Sequence, residues 1–229
     1  MYDREAMTKK DVLEGKTSPS STASALGLNF FKIKTVDGRR YEPGQDDVFY
    51  AEDGVFANTY RDIELDYDPA KKLPRDVKNV ERVMAHDIHL LEKEEEQRLF
   101  VDWLSWIVQN PGRHVNWSIL LQGVEGDGKS FFAEMMRAIM GVGNVTMLNA
   151  HIFESDFTDW TVGQCLSCVE EVRIVKAQNK YEVLNRIKPF ITNNFIEVHP
   201  KGKAIYNAKN TTSYLLFSNF KDALPLDDD

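Results

Sequence analysis

The sequence predicts an α/β fold in which a mainly parallel sheet with flanking helices surrounds a glycine-rich loop. The first observation is that residues 123–130 match the pattern G-x-x-x-x-G-K-[ST] without a mismatch. The second is that the loop lies between an apolar run at 118–122, which predicts a buried strand, and a helical pattern at 131–140. The third is that apolar runs and helical patterns alternate from Val115 onwards, as in a parallel sheet with crossover helices.

The glycine loop, residues 123–130, has the composition that a phosphate-binding site requires. Its glycines permit positive φ and close approach of the backbone, so a row of N–H groups and a helix N-terminus can face an anion. Lys129 would supply charge to the β- and γ-phosphates, and the Ser130 hydroxyl would ligand Mg²⁺. An accidental match in a glycine-bearing loop is the alternative. The residues expected to hold a nucleoside triphosphate are Gly123, Val124, Glu125, Gly126, Asp127, Gly128, Lys129, Ser130 and Phe131.

The composition is that of an ordinary globular protein. The chain has 229 residues, of which 42% are hydrophobic and 11% aromatic, which suffices for a packed core in one large domain or two small ones. No apolar run reaches 18 residues and no secretory signal is present, so we expect no membrane association and a cytoplasmic location. Cys165 and Cys168 lie three apart on a predicted strand, point to opposite faces, and are interpreted as buried packing residues.

Positive charge is concentrated in one stretch. The formal net charge is −8, which is the wrong sign for a protein that simply coats nucleic acid. Residues 172–209 nevertheless contain eight lysines and arginines against two glutamates. This segregation favours a local contact with a polyanion.

The chain divides by composition into four parts. Residues 1–28 form a polar arm or linker, and 29–70 a small β-rich element of short strands and hairpins. Residues 71–112 predict two helices, in which the acidic run 92–96 and the pair His86 and His89 are interpreted as solvated or ordinary helix side chains. Residues 113–229 hold the core, with further elements predicted as a strand at 165–169, a helix at 180–187 and a strand at 213–218.

Two strands of this core end in side chains suited to nucleotide hydrolysis. Glu170 and Glu171 follow the apolar run that starts at Cys165, and hydrolysis needs carboxylates that hold the hydration shell of Mg²⁺ and orient the attacking water. Glu170 would hold the metal ion, and Glu171 would orient the attacking water. Asn219 ends the strand at 213–218 and could hold the γ-phosphate or the water. Alone, these residues would be a charged strand end and a turn-forming asparagine.

Between these two strands, residues 191–207 contain two strand-like runs around a short basic tip with a glycine at its centre. The pattern predicts a hairpin that presents His199, Lys201 and Lys203.

The order of these parts resembles the superfamily 3 helicases of viruses and plasmids, over residues 75–229. More narrowly, several segments look like the helicase domain of phage-type primase-helicases or primase-polymerases. These segments are 100–106, 109–112, 188–202 and 218–224. The resemblance implies an AAA+-like P-loop NTPase core preceded by a helical collar, assembled as a hexameric ring around DNA.

The resemblance also implies roles for individual residues. Lys129 and Ser130 would bind ATP and Mg²⁺, Glu170 and Glu171 would be the Walker B acids, and Asn219 the sensor. His199, Lys201 and Lys203 would form a DNA-tracking hairpin that grips the phosphate backbone without reading sequence. Implied partners are single-stranded or forked DNA, further copies of the chain and a linked primase or polymerase module, in the host cytoplasm if the protein is viral.

One feature departs from the family pattern. The arginine finger follows the sensor asparagine by a dozen or more residues, but only ten residues follow Asn219 and none is arginine. Because that group is typically worth about 10³ to 10⁵ in rate, the chain is expected to be cut short and to bind nucleotide better than it hydrolyses it. Two alternatives stay open: another nucleic-acid P-loop NTPase, such as a packaging motor or helicase loader, and a nucleotide-binding scaffold in a replication complex.

Overall fold

The computed structural model describes residues 36–63, 74–173, 180–220 and 223. The chain divides into two compact units: Met1–Arg39 with Val48–Ala57, and Arg40–Asp47 with Asn58–Asp229. The predicted arm at 1–28, residues 64–73 and the last six residues lie outside the described residues.

Three short strands form a small sheet, as the sequence predicts for this region. They are β1 (Gly38–Arg40), β2 (Val48–Ala51) and β3 (Gly54–Asn58), in the order β1-β3-β2. Strands β2 and β3 form a hairpin in which Phe49 pairs with Phe56. Both rings are buried, with centroids 6.0 Å apart. This cross-strand aromatic pair is the centre of the smaller unit.

The larger unit contains the remaining elements. In chain order these are α1 (Pro74–Leu90), α2 (Glu94–Gln109), β4 (Ile119–Gln122), α3 (Ser130–Met140), β5 (Val145–Asn149), β6 (Leu166–Glu170), α4 (Lys180–Thr192), β7 (Phe195–Val198), β8 (Tyr206–Lys209) and β9 (Ser213–Ser218). Two short 3₁₀ turns, Ala150–Glu154 and Asp159–Thr161, lie between β5 and β6.

A four-stranded parallel sheet organises the larger unit, which confirms the predicted mixed α/β architecture. Its order is β4-β9-β6-β5, and all three pairings are parallel. All six residues of β9 are buried, because this strand is internal and both faces of the sheet are covered. On one face, Leu215 and Phe217 pack with α2 and α3. On the other face, Tyr214 and Leu216 pack with α4 and β7.

The two predicted N-terminal helices are confirmed as α1 and α2. Helix α2 buries Phe100, Trp103, Leu104 and Ile107 in the core. The apolar positions that predict α1 behave differently, because several of them are exposed. These are Val77, Val80, Met84 and Ile88. None of the helices that the structure describes is long and apolar enough to cross a membrane.

The boundaries of α4 and of the following hairpin differ from the prediction. The helix extends to Thr192, with Pro189 inside it, whereas the pattern predicted its end at 187 and a strand-like run from Ile191. Ile187 and Phe190 are buried in the core. Packing of this apolar face therefore outweighs the helix-breaking tendency of proline. The strand begins only at Phe195.

Both cysteines are packing residues, as predicted. Cys168 lies within β6 and Cys165 just before it, and both are free and buried. Burial raises the pKa of both thiols. They are therefore protonated at neutral pH and poor nucleophiles.

Candidate functional site

The sheet topology brings the predicted nucleotide-site residues together at the edge of the sheet that is formed by the carboxyl ends of the parallel strands. Strands β4, β9 and β6 are adjacent and parallel, so their carboxyl ends lie on the same side. Gln122 pairs with Ser218 in the register, and Gly123 N–H donates to Ser218 O at 3.1 Å. The glycine loop follows β4, Asn219 follows β9, and Glu170 ends β6. Ligands of open parallel sheets bind at this edge.

The glycines of the loop have structural reasons to be glycine. Gly126 and Gly128 adopt φ of 82° and 93°, the left-handed region that other residues rarely adopt. A Cβ at Gly123 would overlap the Asp127 carboxylate, and one at Gly128 would overlap the His86 ring. Gly126 and Gly128 are therefore required by the backbone conformation of the loop itself, and Gly123 leaves room for the Asp127 carboxylate.

Lys129 is held inside the glycine loop by an ion pair. Its Nζ lies 2.8 Å from both Asp127 carboxylate oxygens and donates to Val124 O at 2.8 Å. The two charged side chains are only 7% and 12% exposed. A carboxylate thus occupies the position beside the ammonium group that a phosphate would need. The sequence pattern predicts the lysine but gives no sign of this internal partner.

Ser130 and Glu170 meet across the site. The Ser130 hydroxyl, at the first position of α3, donates to Glu170 Oε1 at 2.9 Å. No group of three or more His, Cys, Asp or Glu residues in the described ranges could enclose a metal ion. This pairing still fits Mg²⁺, which is usually bound by one or two protein oxygens while phosphates and water complete its octahedron.

Glu171 points to a different partner from Glu170. Its Oε2 accepts from Asn149 Nδ2 at 2.8 Å, and its φ of 58° is left-handed, which costs free energy for a residue with a Cβ. Asn149 ends β5 and pairs with Glu170 in the register. Sequence reasoning missed both β5 and this asparagine. The available signal was a polar residue after the short, mostly apolar segment at 145–148.

Asn219 directly follows the strand that separates β4 from β6, and its side chain is exposed. The roles predicted for Asn219, Glu170, Glu171 and the glycine loop in nucleotide hydrolysis remain predictions. The structure brings their backbone positions to one edge of the sheet and directly joins Ser130 with Glu170.

His86 on α1 is a second residue that sequence reasoning missed. Its Nε2 lies 3.0 Å from Gly128 O, and its ring stacks on Phe132 at 5.5 Å and meets Phe131 edge-on at 5.1 Å. His86, interpreted from the sequence as an ordinary helix histidine, thus packs against the glycine loop and α3. The contact spans 42 residues, so local sequence spacing could not have indicated it.

The predicted basic hairpin is present as β7 and β8. Lys201 and Lys203 lie exposed in its turn, where Gly202 has a φ of 71°. The Lys201 ammonium group lies 5.9 Å from the centre of the Phe157 ring, within the range of a cation–π contact.

His199 has a more structural setting than the two lysines. Its ring Nε2 lies 2.8 Å from Glu197 Oε1, and its backbone exchanges hydrogen bonds with Thr158. Arg186, counted in the basic stretch, is also engaged, since its guanidinium donates to Ser155 O and pairs with Asp156. Lys201 and Lys203 are thus the exposed cations of the turn.

Replacing Asp127 by asparagine is expected to strengthen binding of a nucleoside triphosphate about tenfold, or about 1.4 kcal/mol. Asparagine keeps an acceptor for Lys129 N–H but removes the charge that competes with phosphate for the ammonium group. Equilibrium titration measures the effect. Glu154→Gln, the same charge change at an exposed position in the turn after β5, is the control and should change affinity little. Unchanged or weaker binding by Asp127→Asn would show that the Asp127 carboxylate does not compete with phosphate for Lys129.

Comparison with known proteins identifies similar chains. A family model described as a family of unknown function (DUF5906) matches residues 121–229. The chain is 24% identical over 193 residues to the DNA primase-polymerase of Nitratiruptor phage NrS-1. That alignment covers 82% of this chain but only 25% of the relative, so the chain spans a quarter of the relative's length.

Solved structures of the NrS-1 C-terminal region have a similar fold. An apo structure aligns with a TM-score of 0.66 at 20% identity, covering 83% of this chain and 45% of that one. A second apo form aligns with a TM-score of 0.63 at 19% identity, covering 91% of this chain and 50% of the other. At these identities the likeness shows a shared fold.

Proposed function

We propose that this chain is the ATP-hydrolysing motor domain of a phage DNA replication protein, of the superfamily 3 helicase type. The observation that carries the proposal is the 2.9 Å contact between Ser130 Oγ and Glu170 Oε1. It joins the hydroxyl of a complete phosphate-loop pattern to an acid that ends a separate strand. The strand between them ends beside Asn219, so each group that the reaction needs comes from a neighbouring strand end.

In this proposal each group has one task. The loop amides and Lys129 hold the triphosphate, which requires Lys129 to leave Asp127. Ser130 and Glu170 would hold Mg²⁺, which would supply positive charge beside the β- and γ-phosphates. Glu171 and Asn219 orient the attacking water. The Asn149 amide fixes the Glu171 carboxylate through its hydrogen bond.

The similar proteins support a role in DNA replication, since the curated relative is named a DNA primase-polymerase. A linked primase or polymerase module, the hexameric ring and the DNA partner belong to the same proposal. A packaging motor or helicase loader would share the nucleotide site, but the basic hairpin favours direct contact with the DNA backbone.

Removing the two exposed lysines of the hairpin turn is expected to weaken binding of single-stranded DNA. Each phosphate contact contributes about 0.7 to the slope of log affinity against log salt, so Lys201→Ala with Lys203→Ala should reduce that slope by about 1.4. Fluorescence anisotropy at several salt concentrations measures it. The control is Lys78→Ala with Arg82→Ala, an equal charge change at exposed positions of α1. An equal loss of DNA affinity in both double variants would show that net charge, and not the position of the lysines in the hairpin turn, causes the effect.

The experiment that tests the proposed function measures steady-state ATP hydrolysis with and without single-stranded DNA. A helicase motor is supported if DNA stimulates hydrolysis by the wild-type chain and no longer stimulates it in the double variant Lys201→Ala with Lys203→Ala. Hydrolysis that DNA does not affect would contradict the helicase assignment. Light scattering with nucleotide and DNA tests ring assembly in the same samples.

A further inference from the structure

A cavity of about 270 Å³ lies between α1, α2 and α3. This is just below the range of about 300 to 1,000 Å³ that is usual for whole small-molecule sites, and it suits one planar ring system better than a whole nucleotide. Most of its lining is apolar, including Phe132 and Met136 from α3. The polar side chains on the lining are Asp87, Ser105 and Gln109. An apolar cavity with few polar groups is typical of sites that orient a flat organic ligand.

Asp87 is the unusual member of this lining. It is 1% exposed, and neither carboxylate oxygen has a hydrogen-bond partner among the residues that the structure describes. A buried carboxylate without a donor carries an uncompensated desolvation cost. Burial accordingly raises the pKa of this carboxyl group, against a smaller lowering effect of His86. A ligand that brings an N–H donor into the cavity would remove this cost.

Helices α1 and α3 connect the cavity with the glycine loop. His86, the neighbour of Asp87 on α1, contacts Gly128 O and stacks on Phe132. Phe132 also lines the cavity and lies two residues after Ser130. Helix α1 therefore contacts the loop through one residue and lines the cavity through the next.

We infer that this cavity receives the base of the nucleotide whose phosphates bind at residues 123–130, and that Asp87 selects a purine with a 6-amino group. The inference rests on the proposed function. Adenine presents an N–H donor at position 6, which a carboxylate oxygen accepts. Hypoxanthine presents a carbonyl oxygen there, which would face the carboxylate as a second acceptor. Phe132 and Met136 supply the apolar surface against which the ring packs.

The experiment compares equilibrium binding of magnesium ATP and magnesium inosine triphosphate, which differ only in the base. The wild-type chain should bind the inosine nucleotide about 10- to 100-fold more weakly, the range for a lost hydrogen bond to a charged group. Asp87→Asn should remove or reverse the preference, because its amide can donate to the carbonyl. Glu81→Gln, an exposed acid on the same helix, is the control and should keep the preference.

The outcomes separate the inference from the proposed function. If both nucleotides bind with equal affinity and Asp87→Asn changes nothing, the base lies elsewhere and the inference fails while the phosphate site stands. If neither nucleotide binds, both fail. The comparison on the wild-type chain needs no variant to fold. Asp87→Leu adds a second test, because removing the acceptor should weaken ATP binding while leaving binding of inorganic triphosphate unchanged.

Discussion

Replacing Lys129 by alanine is expected to lower affinity for magnesium ATP by at least about 100-fold, the equivalent of roughly 3 kcal/mol. Its ammonium group is buried within the loop and is the cation that the loop pattern supplies to the β- and γ-phosphates. Alanine removes this charge and leaves the Asp127 carboxylate to repel the ligand. Calorimetric titration at fixed magnesium concentration gives the affinity.

A double variant separates loss of ligand contact from damage to the loop. Lys129→Ala alone leaves Asp127 partly buried without its cation, which should lower the free energy of unfolding. Lys129→Ala with Asp127→Asn removes the unpaired charge and should recover much of that stability in urea denaturation. Its affinity for ATP should stay low. Recovery of wild-type affinity in the double variant would show that Lys129 serves only to neutralise Asp127.

Replacing Glu170 by glutamine is expected to lower the rate of ATP hydrolysis by about 100- to 1,000-fold, a typical effect of losing one group that stabilises the transition state. The amide is isosteric and can still accept from the Ser130 hydroxyl, so the geometry of the site is kept. What is lost is the negative charge that holds Mg²⁺. Binding of nucleotide should change by only a few-fold.

Single-turnover hydrolysis with excess chain isolates this step from product release. Glu154→Gln, an exposed acid in the turn after β5, is the matched control and should hydrolyse at the wild-type rate. If Glu170→Gln hydrolyses ATP as fast as the control, Glu170 takes no part in the reaction. Glu171, with its separate hydrogen bond to Asn149, would then be the first residue to test.

The sequence predicted the elements whose patterns are local and strong. The strand at 213–218 was predicted with the bounds that the structure shows, because an uninterrupted apolar run marks an internal parallel strand. The helix after the glycine loop was predicted to within one residue. The end of α4 was not, because burial of Phe190 decides it and proline suggests the opposite.

The candidate site was predictable where a pattern marks it and not where a distant contact creates it. The glycine loop and the acid at Glu170 follow from spacing along the chain. His86 does not, because it reaches the loop from a helix about forty residues away, where nothing local distinguishes it from a surface residue. The ion pair within the loop could not be predicted either, because the pattern allows any residue at position 127 and so does not single out Asp127 as a partner of Lys129.

The central claim is that a triphosphate binds against the glycine loop while its magnesium ion is held by Ser130 and Glu170. A crystal structure with magnesium and a non-hydrolysable ATP analogue tests it most directly. The expected result shows phosphates along residues 123–130, Lys129 turned from Asp127 to the γ-phosphate, and the metal between Ser130 and Glu170. A nucleotide bound away from the loop, or a metal ion with no ligand from either residue, would contradict it.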